Sequence, residues 1–255
     1  MSKKVLMNNV YKNYIFDFYG TLVDILTDEK DPALWDKLAQ LYQAYGADYK
    51  GEGLKKSYAK RVAQTRKELI EIKGVAYPEV DLAHIFNQLY VDGRSQSSCH
   101  NQLEDWGQLI AMVFRVLSRK QLLAYPHTKE VLTFLKEQGC RLYLLSNAQA
   151  AFTNAEIDLM ELRPYFDAIY LSSDVGICKP QPEFLKQVLD DHGLKPSETV
   201  MVGNDLTTDI AVAEAVGIDG ILLNTFPYSR RELEKSPIKP DRVITDIEAL
   251  KTNFT

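Results

Sequence analysis

The pattern of apolar and polar positions changes character twice along the chain. A short apolar run, "YIF" at 14–16, ends in a carboxylate and a glycine-containing turn, "DFYGTLVD". From residue 28 to about 120 apolar residues then recur at helical spacing. "TDEKDPALWDKLAQLYQAYG" opens with acidic residues and Pro32, which suit a first helical turn, repeats apolar side chains at Leu34, Leu38, Leu41 and Tyr45, and stops at Gly46. Further helices are predicted over about 54–73, 79–91 and 102–119. From "YPHTKEVLTFLKEQGCRLYLLSN" onward helices alternate with short apolar runs at Leu142–Leu145, Ala168–Leu171, Thr199–Val202, Ile221–Leu223 and Val243–Ile244. That alternation is the mark of βαβ units and a parallel sheet.

The expected organisation is an α/β domain, residues 1–23 and 126–255, interrupted after its first strand by an all-helical insert, residues 24–125. The span of the insert suits a compact unit of its own. The chain should cross between the two near Asp24–Asp28 and Ala124–Pro126. No internal repeat or low-complexity tract is present, and "GADYKGEG" at 46–53 is the one notably Gly-rich loop of the insert.

Composition narrows the class. With 255 residues, 45% hydrophobic and 25% charged, the chain is that of an ordinary globular protein. A net charge of −5 without long Lys/Arg clusters argues against nucleic-acid or anionic-membrane partners and leaves small molecules. No apolar window reaches the length of a membrane span, and "MSKKVLMNNVYKNY" lacks a signal-peptide apolar region, so a cytoplasmic protein is expected. Cys99, Cys140 and Cys178 are widely spaced and read as free thiols; His84, His100, His127 and His192 are equally scattered.

In an open parallel sheet, ligands bind beyond the carboxyl ends of the strands, so polar residues that end apolar runs are the informative ones. Four such places exist: Asp17 after "YIF", Ser146-Asn147 after "LYLL", Lys179 in "SSDVGICKPQPEF", and Asn204-Asp205 with Asp209 after "TVMVG". Singly each reads as turn or cap chemistry. Together, a nucleophilic carboxylate, a hydroxyl and an amide to grip oxygens, a cation and a further acid pair are the parts for phosphoryl transfer through an aspartyl intermediate. Asp17 would have to attack a dianionic group, so positive charge must sit beside it, from Lys179 and from Mg²⁺ held by carboxylates.

The ordered set resembles the haloacid dehalogenase-like (HAD) hydrolase superfamily, in its subfamily with a helical cap inserted after the first motif, over residues 13–252. The first motif, D-x-D-G-T-L/V, is "DFYGTLVD"; the second is the strand ending in Ser, "LLSNA"; the third is the Lys of "KPQPEF"; the fourth is the acidic "VGNDLTTD". The resemblance implies a Rossmann-like three-layer parallel-sheet core carrying a helical cap, with Mg²⁺ as cofactor and a small molecule as substrate. It assigns Asp17 as nucleophile and Gly20-Thr21 to the turn whose backbone approaches substrate oxygens. Ser146 and Asn147 would bind the transferring group, and Lys179 would bridge nucleophile and substrate charge. Asp17, the Tyr19 backbone carbonyl, Asp205 and Asp209 make up the metal set, although relatives often carry Asp where this chain has Asn204.

One departure stands out. Family phosphatases place a second Asp two residues after the nucleophile, as acid and then base, and here that position is Tyr19. A positioned proton-transfer group contributes typically 10²–10⁴-fold. A tyrosine with its ordinary pKa near 10 can donate a proton but is a poor base at neutral pH. Three readings follow: a Mg²⁺-dependent phosphatase with altered acid–base chemistry; a 2-haloacid dehalogenase, whose first motif also carries Tyr; and a binding or regulatory protein that retains the fold. Against the dehalogenase stand the absence of an Arg about thirty residues beyond Asp17, where the first arginine is Arg61, and a fourth motif G-N-D-x-x-x-D in place of S-x-N-x-x-D. Tyr49 and Lys50 sit where caps of this kind present a specificity loop, but a solvated loop is the simpler reading. Tyr42, Tyr45, Tyr58 and Tyr90 read as packing residues, and "KKSYAKRVAQTRKE" as the wet face of a helix.

Overall fold

The structure, a computed structural model, describes residues 11–94 and 104–254. Cys99, His100 and the first ten residues, which bear on the leader expectation, lie outside them.

Six parallel strands form the central sheet: β1 (Asn13–Phe16), β4 (Arg141–Ser146), β5 (Ala168–Leu171), β6 (Thr199–Gly203), β7 (Asp219–Leu223) and β8 (Arg242–Ile244), in the order β5-β4-β1-β6-β7-β8. The inner strands are apolar without alternation because both of their faces are covered. Period two then sorts the side chains. Tyr14, Phe16, Leu142, Leu144, Val200 and Val202 pack on one face with α5 (Thr128–Glu137) and the C-terminal turn Ile247–Phe254; Ile15, Tyr143, Leu145 and Met201 pack on the other with α8 (Pro182–His192) and α9 (Ala211–Val216). The sheet expectations hold to within two residues at each strand end. A further short helix, α7 (Ser172–Val175), follows β5, and α10 (Arg230–Lys235) precedes β8.

Between β1 and β4 the chain forms α1 (Pro32–Ala44), α2 (Gly51–Lys73), α3 (Leu82–Gly93) and α4 (Trp106–Ser118). These helices enclose an apolar cluster of their own, centred on Trp106, Tyr42, Tyr90, Phe86 and Phe114 and joined from the sheet side by Phe152. The tyrosines pack as expected: Tyr42 donates to the Phe86 carbonyl at 2.8 Å and Tyr90 to the Tyr45 carbonyl at 3.0 Å. Tyr49 is partly buried and anchored, whereas Lys50 is exposed. Its hydroxyl donates to the Leu89 carbonyl at 2.9 Å and its ring meets Tyr42 edge-on. The two chain crossings pair with each other as an antiparallel ribbon, β2 (Val23–Thr27) with β3 (Arg119–Ala124). Polar Asp24 and Gln121, which are hydrogen-bonded across it, hid these strands in the sequence. Among the described residues no helix is long and apolar enough to cross a membrane.

At the start of α5, His127 Nδ1 lies 3.1 Å from both carboxylate oxygens of Asp246. That hydrogen bond raises the imidazole pKa above 6.5. Because the folded value is raised, the pair's contribution to stability is fully present below about 6.5 and is lost as pH rises through the folded pKa. An NMR titration is expected to find His127 above 6.5 and Asp246→Asn to return it there; an unshifted wild-type midpoint would refute the pairing.

Candidate active site

The strands β1, β4 and β6 are neighbours, and the chain turns away in different directions beyond their carboxyl ends, which places their terminal residues around one crevice. The Asp17 amide still donates to the Val202 carbonyl at 2.9 Å, so the ladder carries Asp17 to the sheet edge before the chain turns. The turn closes with Leu22 and Val23 donating to the Phe18 carbonyl. Gly20 is obligatory in it: its φ is +80°, and a Cβ would lie 2.6 Å from Asn204 Nδ2.

Lys179 holds the centre. It is 2% exposed, and its Nζ donates at 2.7 Å each to Asp17 Oδ1, Asp209 Oδ1 and the Leu145 carbonyl. Three acceptors for three N–H groups leave the buried ammonium fully satisfied. Ser146 Oγ donates to Asp17 Oδ1 at 3.1 Å. Thr21 Oγ1 stands 3.3 Å from Asp17 Oδ2 and 3.2 Å from Asn204 Oδ1, so one proton is shared between two acceptors. Oδ2 is therefore the less engaged oxygen of Asp17.

Asn147 has a structural part that was not expected. Its Oδ1 accepts from the Lys179 amide at 2.7 Å and its Nδ2 donates to the Lys179 carbonyl at 2.9 Å. It fixes the backbone of Lys179, although it also lines the cavity. Beyond β6 the acids divide. Asp205 caps the π-helical turn Leu206–Ile210, accepting from the Thr207 and Thr208 amides at 2.6 and 3.0 Å. Asp209 is buried, with Oδ1 on Lys179 and Oδ2 accepting from the Asp205 amide at 3.0 Å. Its carboxyl takes the space beside Gly203, where a Cβ would approach to 2.3 Å.

The electrostatics follow from this packing. Burial pulls the Lys179 pKa down, but Asp17 and Asp209 outweigh it, and the net shift is upward, so the ammonium stays charged. Burial pushes Asp209 up to about 6, with Lys179 opposing and Asp17 reinforcing. Asp205 is lowered: burial acts upward, and the hydrogen bonds from Thr207 and Thr208 overcome it.

Tyr19 lines the crevice, and its hydroxyl is engaged by α6 (Ala150–Leu159) and not by Asp17. It donates to the Glu156 carboxylate and lies 3.1 Å from Thr153 Oγ1, both on that helix. Burial first, and Glu156 in addition, raise the phenol above its usual range, against the pull of Arg115. The proton-donor role considered for this hydroxyl does not match that placement.

A cavity of about 190 Å³ at this point is lined by Asp17, Tyr19, Ser146, Asn147, Lys179, Asp205 and Asp209, together with Asn204 and Thr208. Gly20 and Thr21 do not line it but contact residues that do, Thr21 through Asp17 and Asn204 and Gly20 through its approach to Asn204. The sequence reading missed Asn204 as a contact of the turn, Thr225, whose hydroxyl donates to the Gly20 carbonyl, and the Glu156 group. A signal existed for that group: Arg115 stands inside the apolar helical run "MVFRVLS", where a charge needs a partner. The donors suit a hard divalent cation. Asp17, Asp205 and Asp209 are three carboxylates against one ammonium, which leaves two negative charges to be balanced, and oxygen-only ligands favour Mg²⁺ over softer metals. Among the described residues, the one tight grouping of three His, Asp, Glu or Cys side chains is elsewhere and exposed, at His127, Glu130 and Glu248.

Fold and site together are those of an α/β protein whose charged residues gather beyond the carboxyl ends of β1, β4 and β6. A profile of the haloacid dehalogenase-like hydrolases matches residues 11–217, and the chain belongs to that family. It is similar to the glyceraldehyde 3-phosphate phosphatase of Methanothermobacter thermautotrophicus, 33% identical over 51% of this chain and 58% of that protein. It is also similar to the ribulose-1,5-bisphosphate 5-phosphatase of Halopiger xanaduensis, 31% identical over 51% of this chain and 52% of that protein. The chain spans about half the length of the curated relatives it matches. Among solved structures, a 2-haloacid dehalogenase from Pseudomonas syringae aligns with TM-score 0.67 at 21% identity, over 96% of this chain and 98% of that one. A HAD phosphatase from Thermococcus onnurineus aligns with TM-score 0.62 at 20% identity, over 95% and 97%. At such identities the structural likeness speaks to the fold alone.

Proposed function

We propose that the protein is a Mg²⁺-dependent phosphatase of small phosphorylated metabolites, acting through an aspartyl-phosphate on Asp17 beneath a cap formed by residues 24–125. The observation that carries this reading is the buried Lys179 ammonium held 2.7 Å from both Asp17 and Asp209, with Asp205 beside them. Attack on a dianionic substrate needs positive charge beside the reacting carboxylate, which Lys179 supplies and a cation held by the acids would add to, and two acids after β6 exceed the single one of the dehalogenase motif S-x-N-x-x-D.

In this scheme Asp17 Oδ2, the less engaged oxygen, attacks phosphorus, and the leaving oxygen departs with the P–O bond electrons. Lys179 and Ser146 hold Oδ1 and so fix the attack direction. Asp17, the Tyr19 carbonyl and the acids after β6 would hold Mg²⁺, which would supply positive charge for the substrate oxygens. Water then cleaves the acyl phosphate, releasing phosphate and restoring the carboxylate. With Tyr19 turned toward Glu156, no carboxylic acid protonates the leaving group, so aryl and acyl phosphates should turn over faster than alkyl phosphates, by roughly 10²-fold after allowance for binding.

The relatives' names make glyceraldehyde 3-phosphate and ribulose 1,5-bisphosphate the natural alkyl substrates to include. Purified protein incubated with these, with p-nitrophenyl phosphate, acetyl phosphate and 2-chloropropionate is expected to release phosphate, to stop in EDTA and to resume when Mg²⁺ is restored. Chloride release that EDTA does not affect would establish the dehalogenase reading, which Tyr19 favours, and overturn this one.

A further inference from the structure

A second cluster of buried charge adjoins the site, and none of the four motifs includes it. Glu156, 2% exposed on α6, receives Arg115 in a bidentate pair, Nε to Oε1 at 2.8 Å and a terminal nitrogen to Oε2 at 3.0 Å. Arg119 adds a bond to Oε1 at 2.9 Å, and the Tyr19 hydroxyl donates to Oε2. The Arg115 guanidinium also covers two rings, with its central carbon 5.1 Å from the centroid of Tyr19 and 4.6 Å from that of Phe152.

The origins of these groups give the cluster its meaning. Arg115 belongs to α4 and Arg119 opens β3, both in the helical insert, whereas Glu156, Thr153 and Phe152 belong to α6 of the sheet unit. Tyr19 belongs to neither wall, because it rides on the turn that follows Asp17. One carboxylate therefore ties the insert, the sheet unit and the nucleophile turn together. Burial alone would raise the Glu156 pKa, yet the bonds from Arg115 and then Tyr19 bring it below its usual range, so it stays ionised. Removing one partner of such a buried pair leaves an uncompensated charge, which makes displacement of Arg115 from Glu156 costly. Tyr19 is two residues from Asp17, so its hydroxyl bond anchors the turn that carries the carboxylate.

We propose that Glu156 is a positioning residue: braced by Arg115 and Arg119 from the helical insert, it holds the Tyr19 hydroxyl and so couples the seating of the insert to the turn that carries Asp17. The inference rests on the reading of Asp17 as nucleophile. On this account the side chain standing where relatives carry a second Asp is a tether. The hydroxyl moves no proton in the reaction.

The test compares wild type, Tyr19→Phe, Arg115→Met and the double variant. Tyr19→Phe removes the hydroxyl alone and keeps the ring, so it secures the comparison if Arg115→Met folds poorly. Two quantities are read: kcat and KM for p-nitrophenyl phosphate with Mg²⁺ across pH, and amide hydrogen exchange of residues 18–23 in ligand-free protein. Each single variant is expected to lower kcat roughly 10- to 100-fold with little change in KM, to leave the shape of the pH profile unaltered and to speed exchange in the turn. The double variant is expected to match the worse single variant, because both remove the same tether. Wild-type kcat and exchange in Tyr19→Phe, fully multiplicative effects in the double variant, or loss of one limb of the pH profile in Tyr19→Phe would each overturn the proposal. Wild-type inactivity on every phosphate ester would count against the phosphatase reading instead, while the exchange measurement would still decide whether Arg115 and Tyr19 act on the turn together.

Discussion

Asp17→Asn is expected to lower phosphate release by on the order of 10⁴-fold or more while leaving the protein folded. The amide is nearly the same size and retains an oxygen for Ser146 and Lys179, so the crevice should keep its shape. Lys179 also keeps Asp209 at 2.7 Å and the Leu145 carbonyl, so its charge remains paired. What disappears is the anionic oxygen that attacks phosphorus. The loss should fall on kcat, with KM changed little, since the substrate's own charges would still meet the cation, Lys179 and the turn amides. Thermal unfolding run beside the kinetics separates the two effects. A variant that retains activity within tenfold of wild type would remove Asp17 from the reaction.

Lys179→Met is expected to have the largest effect on folding. Methionine fills much of the volume but donates nothing, so Asp17 Oδ1, Asp209 Oδ1 and the Leu145 carbonyl lose their shared donor in a buried place. Breaking one side of a buried ion pair costs roughly 3–5 kcal/mol. The sign of its pH dependence is fixed by Asp209, whose pKa is already raised by burial and is restrained by Lys179. Without the ammonium it rises further. A carboxyl with a raised folded pKa destabilises the native state increasingly as pH climbs past its unfolded value, so the deficit of the variant should be larger near pH 8 than near pH 5. Urea unfolding at the two pH values measures this. An equal deficit at both would mean that lost packing, and not uncompensated charge, dominates.

Much of this was legible because the signals were local and redundant. The strands β1, β4 and β6 are apolar on both faces, and a run such as "LYLLS" declares a buried strand whatever surrounds it. Asp17, Ser146, Lys179 and Asp209 each end such a run or follow one closely, and the parallel order of the strands brings them to one edge. The ribbon β2/β3 was not legible, because Val23–Thr27 and Arg119–Ala124 carry polar residues and find their partners about a hundred residues apart. The second part played by Asn147 was hidden for a similar reason. Its position after β4 was plain, but nothing in "LLSNA" says that both amide atoms turn back on the Lys179 backbone. Tyr19 shows the limit most clearly: its place beside the nucleophile could be read from the sequence, whereas the direction of its hydroxyl depends on Glu156, distant along the chain, and on an arginine from the helical insert.

The central claim is a covalent phosphoryl group on Asp17, and chemical trapping addresses it most directly. Hydroxylamine converts an acyl phosphate to a hydroxamate, so protein turning over p-nitrophenyl phosphate with Mg²⁺ in hydroxylamine should lose activity with time, and the peptide bearing Asp17 should carry the modification by mass. The account predicts that both changes require substrate and Mg²⁺ together. Sustained phosphate release with an unmodified Asp17 peptide would contradict it.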